Sequence, residues 1–227
     1  GRVGESYTIE GISRGDYNIR AVYNGDENYL ASESEANFEV AKFEPAITVN
    51  IPDITYGNDT LIFISIDGSA TGSVSANVDG KSNSTIIDNG LAIIAISNLN
   101  AGNNKNVEIF YSGDNNYKNA TVSKTFNINK AKLDFTISSN DIKVGQDDVI
   151  LITLPARIGG TVTLSCIKSE IKNVPASGIV RVTYADLANG AYTVSAQYDG
   201  DNYETTSKST TFNVSLWDEH QWANEGG

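Results

Sequence analysis

A pattern that begins and ends with tyrosine recurs three times along this 227-residue chain. Tyr23-Asn-Gly-Asp-Glu-Asn-Tyr29 returns as Tyr111-Ser-Gly-Asp-Asn-Asn-Tyr117 and, one residue shorter, as Tyr198-Asp-Gly-Asp-Asn-Tyr203. The first tyrosines are 88 and then 87 residues apart, and other landmarks keep nearly the same step: Gly57 and Gly145, Gly72 and Gly160, Gly90 and Gly178, and Phe38, Phe126 and Phe212. A period of this length is too long for a solenoid and suits a small all-β domain repeated along the chain.

Within each repeat the apolar residues alternate with polar ones, which indicates strands rather than helices. Before each Gly-Asp turn one strand face is apolar and the other polar, and after it a polar strand ends on Phe-x-Val or Phe-x-Ile. Further strands are predicted at 46–51, 60–66 and 73–78, at 133–138, 148–154 and 161–167, and in the apolar stretches that run to Leu99 and Leu187. Seven or so short strands in each repeat predict a β-sandwich.

The Gly-Asp turns and the tyrosines around them are predicted to be structural. The inward face of the strand before each turn carries Tyr23, Tyr111 or Tyr198, and each turn contains Gly25, Gly113 or Gly200, where glycine tolerates a positive φ. Tyr17 and Tyr192 have the spacing of a tyrosine corner, whose hydroxyl bonds back to the chain. The middle repeat has an extra residue after Gly102 and no such tyrosine, so we expect a looser corner there.

The repeat register divides the chain into unequal parts. Residues 1–42 match only the C-terminal half of a repeat, residues 43–131 and 132–216 are complete repeats, and residues 217–227 form a tail. Half a sandwich exposes an apolar face and open strand edges, so we expect strands from elsewhere to complete it. We favour strands upstream in a longer parent chain, with strand complementation by another subunit as the alternative.

Composition excludes several functional classes. With 28 acidic and 16 basic residues the net charge is −12, which disfavours binding to nucleic acids or to anionic membranes. No apolar run is long enough to insert into a membrane. The single cysteine, Cys166, aligns with Val78 and is predicted to be a core residue, and the single histidine, His220, lies in the tail. No catalytic arrangement is evident, so we expect no enzyme activity.

The turn aspartates are the only candidate metal ligands. Asp26, Asp114 and Asp201 share their turns with Asn28, Asn116 and Asn202, but calcium takes six to eight oxygen ligands and each turn offers one or two carboxylates. We therefore favour a structural role for these residues, with Ca²⁺ as the alternative and no other cofactor.

Modification and interface candidates follow from short motifs. Four N-x-Ser/Thr sequons are candidate glycosylation sites, at Asn58, Asn83, Asn119 and Asn213. The tail holds both tryptophans of the chain, Trp217 and Trp222. Tryptophan is favoured at interface hot spots, so these two are candidates for docking on a neighbouring domain or subunit, although a plain linker is the simpler interpretation.

The repeated pattern resembles the bacterial Ig-like domain group 3 repeats, whose pattern is L-x-x-G-x-Y-x-V-x-A-x-Y-x-G-D-x-x-Y followed by a polar strand ending F-x-V. The resemblance covers residues 1 to about 216. Such repeats occur in adhesins, in adhesin-like proteins of methanogenic archaea, in surface-layer proteins and in some secreted enzymes, and the Asn, Ile and Lys usage here is similar to that of the methanogen proteins.

The resemblance implies tandem Ig-like sandwiches in an elongated extracellular array, at the cell surface or in the cell wall. We expect such an array to be a stalk that presents a distal binding element. Expected partners are other domains of a longer parent chain, like subunits in a fibre, and cell-surface glycans or proteins. Alternatives are a fibre subunit completed by strand complementation, a surface-layer component, or a carbohydrate-binding module in which Tyr29, Tyr117 and Tyr203 stack on sugar.

Overall fold

The computed structural model describes residues 6–218, and every regular element in that range is a β-strand. No helix within this part of the chain is long and apolar enough to cross a membrane. The strands group, in chain order, into one hairpin and two sandwiches. The two sandwiches are called the middle and the third sandwich, after the repeats that form them. The prediction of an all-β fold made of tandem sandwiches is confirmed.

The hairpin consists of β1 (Gly15–Tyr23) and β2 (Ser32–Val40). The two strands are antiparallel, with Tyr17 opposite Phe38 and Tyr23 opposite Ser32. Because side chains alternate between faces, most apolar residues of both strands lie on one face, while Val22 lies on the other with Asp16, Arg20, Glu33, Glu35 and Glu39. The hairpin therefore has the two-faced pattern of strands that belong to a larger sandwich.

The middle sandwich contains eight strands in two sheets. They are β3 (Thr48–Asn50), β4 (Ile54–Thr55), β5 (Thr60–Ser65), β6 (Ser73–Val78), β7 (Lys81–Ile86), β8 (Leu91–Ile96), β9 (Gly102–Tyr111) and β10 (Ala120–Asn129). One sheet has the order β3-β5-β8 and the other has the order β4-β10-β9-β6-β7, with β4 parallel to β10. By the repeat step, the strands equivalent to β1 and β2 of the hairpin are β9 and β10.

The third sandwich repeats this topology strand for strand. Its strands are β11 (Thr136–Ser138), β12 (Ile142–Lys143), β13 (Asp148–Thr153), β14 (Thr161–Ser165), β15 (Ser169–Asn173), β16 (Ile179–Tyr184), β17 (Gly190–Asp199) and β18 (Thr206–Ser215). The sheets have the orders β11-β13-β16 and β12-β18-β17-β14-β15. The period in the sequence is therefore a period in structure.

Two kinds of strand in the complete repeats were not predicted. The edge strands β7 and β15 contain mostly polar residues and show no apolar alternation, because one side of each lies at the border of the core. The short strands β4 and β12 have two residues each, too few for any periodicity. Both kinds form through backbone hydrogen bonds to a neighbouring strand rather than through their own pattern.

The two compact units of the structure do not follow the repeat boundaries. The first comprises residues up to Pro52, Asp59–Leu99 and Asn104–Phe126, and the second comprises Asp53–Asn58, Asn100–Asn103 and residues from Asn127 onward. The second unit thus takes in two loops from the middle repeat together with the third sandwich.

The core differs sharply between the hairpin and the complete sandwiches. Val107 and Tyr111 on β9 are 0% exposed and Phe126 on β10 is 3% exposed. The equivalent hairpin residues are exposed by 43% at Ile19, 43% at Tyr23 and 40% at Phe38. The apolar face of the hairpin is therefore bare within the described residues.

Candidate functional site

The turns of the first two repeats are closed by their aspartates. One carboxylate oxygen of Asp26 accepts the backbone N–H groups of Asn28 and Tyr29 at 2.8 and 2.9 Å. Asp114 does the same for Asn116 and Tyr117 at 2.7 and 2.8 Å. A short acidic side chain that accepts N–H groups two and three residues later is a standard means of closing a turn.

Asp114 also ties its turn to the neighbouring loop. Its second carboxylate oxygen accepts the N–H of Thr71 at 2.7 Å and the hydroxyl of the same residue at 3.0 Å. Partial burial raises the pKa of Asp114, but the donors around the carboxylate outweigh this effect and hold its pKa at about 2. The charged form therefore stabilises the turn at neutral pH, and this contribution is lost only as the pH falls from about 4 toward 2.

The same carboxylates were the candidate calcium ligands. In the described part of the chain no three or more His, Cys, Asp or Glu side chains form a group that could hold a metal ion. Both carboxylate oxygens of Asp114 already accept hydrogen bonds from the protein. Asp201, in the shorter third turn, is exposed. Asp26 and Asp114 therefore have structural roles in their turns, and calcium binding remains a prediction without support from geometry.

The glycines and core tyrosines of the turns lie close together. At Gly113, with φ of 71°, a Cβ atom would lie 2.7 Å from the backbone nitrogen of Asn119, so only glycine fits without a shift. Gly25 has a similar conformation. Gly200 does not have the positive φ that we predicted, because the third turn is one residue shorter, and it packs against the ring of Tyr198. Burial and the charge of Asp114 raise the pKa of Tyr111 to about 12, as expected for a phenol in a sandwich core.

The two corner tyrosines bond back to the chain. The hydroxyl of Tyr17 donates to the backbone oxygen of Ser13 at 2.7 Å, and that of Tyr192 donates to the backbone oxygen of Ala188 at 2.9 Å. Each ring also stacks on the phenylalanine of the next strand, at 5.5 Å on Phe38 and 5.3 Å on Phe212.

In the middle repeat a lysine replaces the corner tyrosine. Lys105 lies 88 residues after Tyr17, and its ammonium group pairs with the carboxylate of Asp79. Its side chain is only 13% exposed. An ion pair, in place of a tyrosine hydroxyl bond, thus holds the corner that we expected to be looser. No feature of the repeat pattern indicated this pair.

In each complete repeat, the last tyrosine of the Gly-Asp turn packs on the linker that precedes its sandwich. Phe43 donates its N–H to the oxygen of Asn116 at 2.8 Å and accepts the N–H of Lys118 at 2.9 Å, and its ring lies 5.9 Å from that of Tyr117. Arg14 covers the Phe43 ring at 3.8 Å. The linker residue is therefore held by backbone bonds, ring contacts and a cation.

The next linker is held in the same way. Ala131 donates its N–H to the oxygen of Asn202 at 3.0 Å and accepts the N–H of Glu204 at 2.9 Å. Tyr203 meets the ring of Tyr56 edge-on at 5.4 Å. Of the three tyrosines proposed to stack on sugar, Tyr29 alone is largely exposed, at 67%, while Tyr117 and Tyr203 are half-buried.

All four sequon asparagines are exposed, although three of them are hydrogen-bonded. Asn58 donates to the oxygen of Thr55 at 3.1 Å, Asn83 donates to the oxygen of Ala95 at 2.9 Å, and Asn213 donates to the carboxylate of Asp141 at 3.3 Å. Asn119 lies immediately before β10 and is exposed. Each is accessible, and glycosylation of each remains a prediction.

The cysteine and the first tryptophan both contact the third sandwich. Cys166 packs at the border of its core, and burial raises the pKa of the thiol. The indole N–H of Trp217 donates to the backbone oxygen of Val144 at 2.9 Å. Trp217 lies five residues after Phe212, as Phe43 and Ala131 lie five after Phe38 and Phe126, so it occupies the linker position of the repeat. Trp222 and His220 lie outside the described residues.

One buried acid escaped the sequence analysis. Asp148 is 1% exposed and begins β13, at the position that Thr60 occupies in the middle sandwich. Desolvation raises the pKa of its carboxyl, and the backbone N–H groups of Asn140 and Val149 oppose that shift without cancelling it. The alternation of the strand could have predicted this burial, because Asp148 points to the same side as the core residues Ile150 and Ile152.

Together these features define a class of protein: tandem immunoglobulin-like β-sandwiches whose linkers are bonded into the sandwich that follows. No protein-family model and no curated relative matches the sequence, so the group 3 resemblance stays a prediction. Solved structures of tandem sandwiches are similar to it.

Three solved structures illustrate the likeness. A tetra-tandem repeat in the extending region of a large adhesion protein has a TM-score of 0.54 and 19% identity, over 91% of this chain and 58% of that one. A two-domain fibronectin type III segment of chicken tenascin has 0.42 and 15%, over 72% and 97%. A putative membrane anchored protein from Corynebacterium diphtheriae has 0.34 and 15%, over 89% and 59%. At 19% identity the likeness to the adhesion-protein repeat shows the fold alone.

Proposed function

We propose that this chain is part of the stalk of a cell-surface adhesin-like protein, in which tandem sandwiches hold a distal binding element away from the cell. The observation that carries the proposal is the bonding of both linker residues, Phe43 and Ala131, into the sandwich that follows each of them. A linker bonded in this way leaves little free chain between repeats. On this proposal the chain is extracellular, has no catalytic role, and has other domains of a longer polypeptide as its partners.

The stalk role requires linkers that limit motion between sandwiches, and an insertion tests this. A short Gly-Ser insertion between Lys130 and Ala131 should broaden the distances between spin labels at Ser82 and Thr183, because it adds free chain before the bonded residue. The labels require a Cys166→Val background, which Val78 at the equivalent position makes tolerable. Double electron–electron resonance gives the distance distribution.

The control is the same insertion between the exposed residues Glu27 and Asn28, which lies before both labels and should leave the distribution unchanged. An unmodified chain whose distribution is already as broad as that of the linker variant would contradict the stalk proposal.

We also propose that strands equivalent to β3, β5 and β8 cover the bare face of the hairpin in the native protein, and that a strand equivalent to β6 pairs with the edge of β1. The exposure of Ile19, Tyr23 and Phe38 supports this, because the equivalent residues of both complete sandwiches are buried. Upstream strands of the same polypeptide are the favoured source, and strands of another subunit in a fibre are the alternative.

A fusion tests the completion of the hairpin. A second copy of residues 43–98 placed directly before Ile12 supplies the strands that precede Leu99 in the middle repeat. We expect the β1 and β2 amides to exchange at least tenfold more slowly than in the unmodified chain, because burial suppresses local opening. Exchange in β13 and β16 is the internal control. Unchanged exchange in the hairpin would show that such strands do not cover it.

A further inference from the structure

In the five-stranded sheet of each complete sandwich, the first and last strands of the sequence lie side by side and run in the same direction. β4 is parallel to β10, with Ile54 opposite Ile128, and β12 is parallel to β18, with Ile142 opposite Val214. Because the two strands are parallel, the chain enters the first and leaves the last at opposite ends of the pair. A pull on the two ends of a sandwich therefore slides these strands along each other, and the hydrogen bonds between them bear the load together.

The parallel pairs also decide when load reaches the rest of each sandwich. Strands β5 to β9 lie between β4 and β10 in sequence, and strands β13 to β17 lie between β12 and β18. While a pair holds, a pull puts no tension on the chain between its strands. Only the three-residue strands β3 and β11 precede the pairs and are loaded before them. The parallel pair is therefore the point at which a pulled sandwich either resists or opens.

An aspartate side chain extends each parallel pair by further hydrogen bonds. Asp53, immediately before β4, accepts the backbone N–H of Asn127 at 2.7 Å and the side-chain amide of the same residue at 2.9 Å. Asp141, immediately before β12, accepts the same two groups of Asn213 at 2.7 and 3.3 Å. Hydrogen bonds to a charged acceptor are stronger than those between neutral groups. We call each parallel strand pair, together with its aspartate bonds, a clamp.

The hairpin provides an internal contrast to the clamps. Its strands are antiparallel, and Gly15 at the start of β1 lies opposite Val40 at the end of β2. The chain therefore enters and leaves the hairpin at the same end of the pair. A pull opens such a pair from that end, so its hydrogen bonds break one after another and do not share the load.

We propose that each complete sandwich has the further function of bearing tension along the chain, and that its clamp is the element that resists the pull. In the middle sandwich the bonds of Asp53 to Asn127 strengthen the clamp, and in the third sandwich those of Asp141 to Asn213 do so. This function goes beyond the proposed spacer role and does not rest on it, because the clamps lie inside the sandwiches whereas spacing depends on the linkers.

Single-molecule pulling tests this function on the 227-residue chain, held at its two ends under constant force. We expect two unfolding steps that each release roughly 250 Å of chain, one for each complete sandwich, and no hairpin step at forces that the sandwiches withstand. Asp53→Ala and Asp141→Ala should each shorten the lifetime of one step about tenfold, as expected for the loss of hydrogen bonds to a charged group. The double variant should shorten both lifetimes.

Asp79→Ala is the matched control in the middle sandwich. It removes a carboxylate that pairs with Lys105, but the turn that contains it joins β6 to β7 and is not part of the clamp. This variant should lower the temperature of thermal unfolding and leave the lifetime under load nearly unchanged. The proposal is wrong if Asp53→Ala and Asp141→Ala, shown by circular dichroism to be folded, keep the original lifetimes, or if Asp79→Ala shortens the lifetime as much as Asp53→Ala. Neither result would change the distances that test the stalk role.

Discussion

Replacing Gly90 by alanine should destabilise the middle sandwich by about 3 kcal/mol, whereas the same change at Gly80 should cost only about 1 kcal/mol. Both glycines are the second residue of a tight turn with positive φ, after Asn89 and Asp79 respectively, and their own φ angles are 75° and 78°. Alanine therefore meets the same backbone strain at each site.

The two sites differ in what a new methyl group would meet. A Cβ at Gly90 would lie 2.7 Å from the backbone oxygen of Ile66 and 2.9 Å from the Cα of Gly68, whereas at Gly80 nothing lies within 4 Å. Relief of the overlap must move the 66–68 segment, which bonds to the turn through the N–H of Ile66 and the oxygen of Gly90 at 2.8 Å. The extra cost at Gly90 is thus a packing cost added to the strain.

Amide exchange of β5 and β8 measures the stability of the middle sandwich alone, and β13 and β16 serve as the unaffected reference. Equal losses for Gly90→Ala and Gly80→Ala would mean that the segment near Ile66 yields freely, and that the close approach does not explain the glycine.

The sequence located this glycine without explaining it. Gly90 and Gly178 keep the repeat step, so a structural role was predictable, but the close backbone approach depends on where the 66–68 loop lies. The strands with apolar alternation were predictable for the same reason that they form: alternate residues enter the core. The polar strands β7 and β15 were not, because their place is decided by pairing with β6 and β14.

Whether a candidate site was predictable depends in the same way on how local its contacts are in the sequence. The turn aspartates were predictable as turn residues because their bonds are to the next few residues. The exposed side chains of Leu61 and Phe63 were foreshadowed by the continuous apolar run from Leu61 to Ile64, which indicates a strand that is apolar on both faces. The ion pair of Lys105 with Asp79 left none, since residues this far apart in sequence meet only through the fold.

Replacing Asp148 by threonine, the residue at the equivalent Thr60 position, should stabilise the third sandwich by about 1–3 kcal/mol at pH 7. The carboxyl is 1% exposed, and desolvation raises its pKa in the folded state. Below the ordinary pKa near 4 the group is neutral both folded and unfolded, so it carries no charge penalty there. The penalty grows as the pH rises from about 4 through the raised pKa and is constant above it.

The pH dependence separates this charge effect from a simple gain in packing. The stability advantage of Asp148→Thr over the unmodified chain should be much smaller near pH 3 than at pH 7. Amide exchange or thermal unfolding at both pH values measures it. Asp147→Thr, one residue earlier and exposed, should show no such advantage at either pH. If Asp148→Thr gains as much at pH 3 as at pH 7, the gain is one of packing; if it gains nothing at pH 7, the buried carboxylate costs the fold nothing.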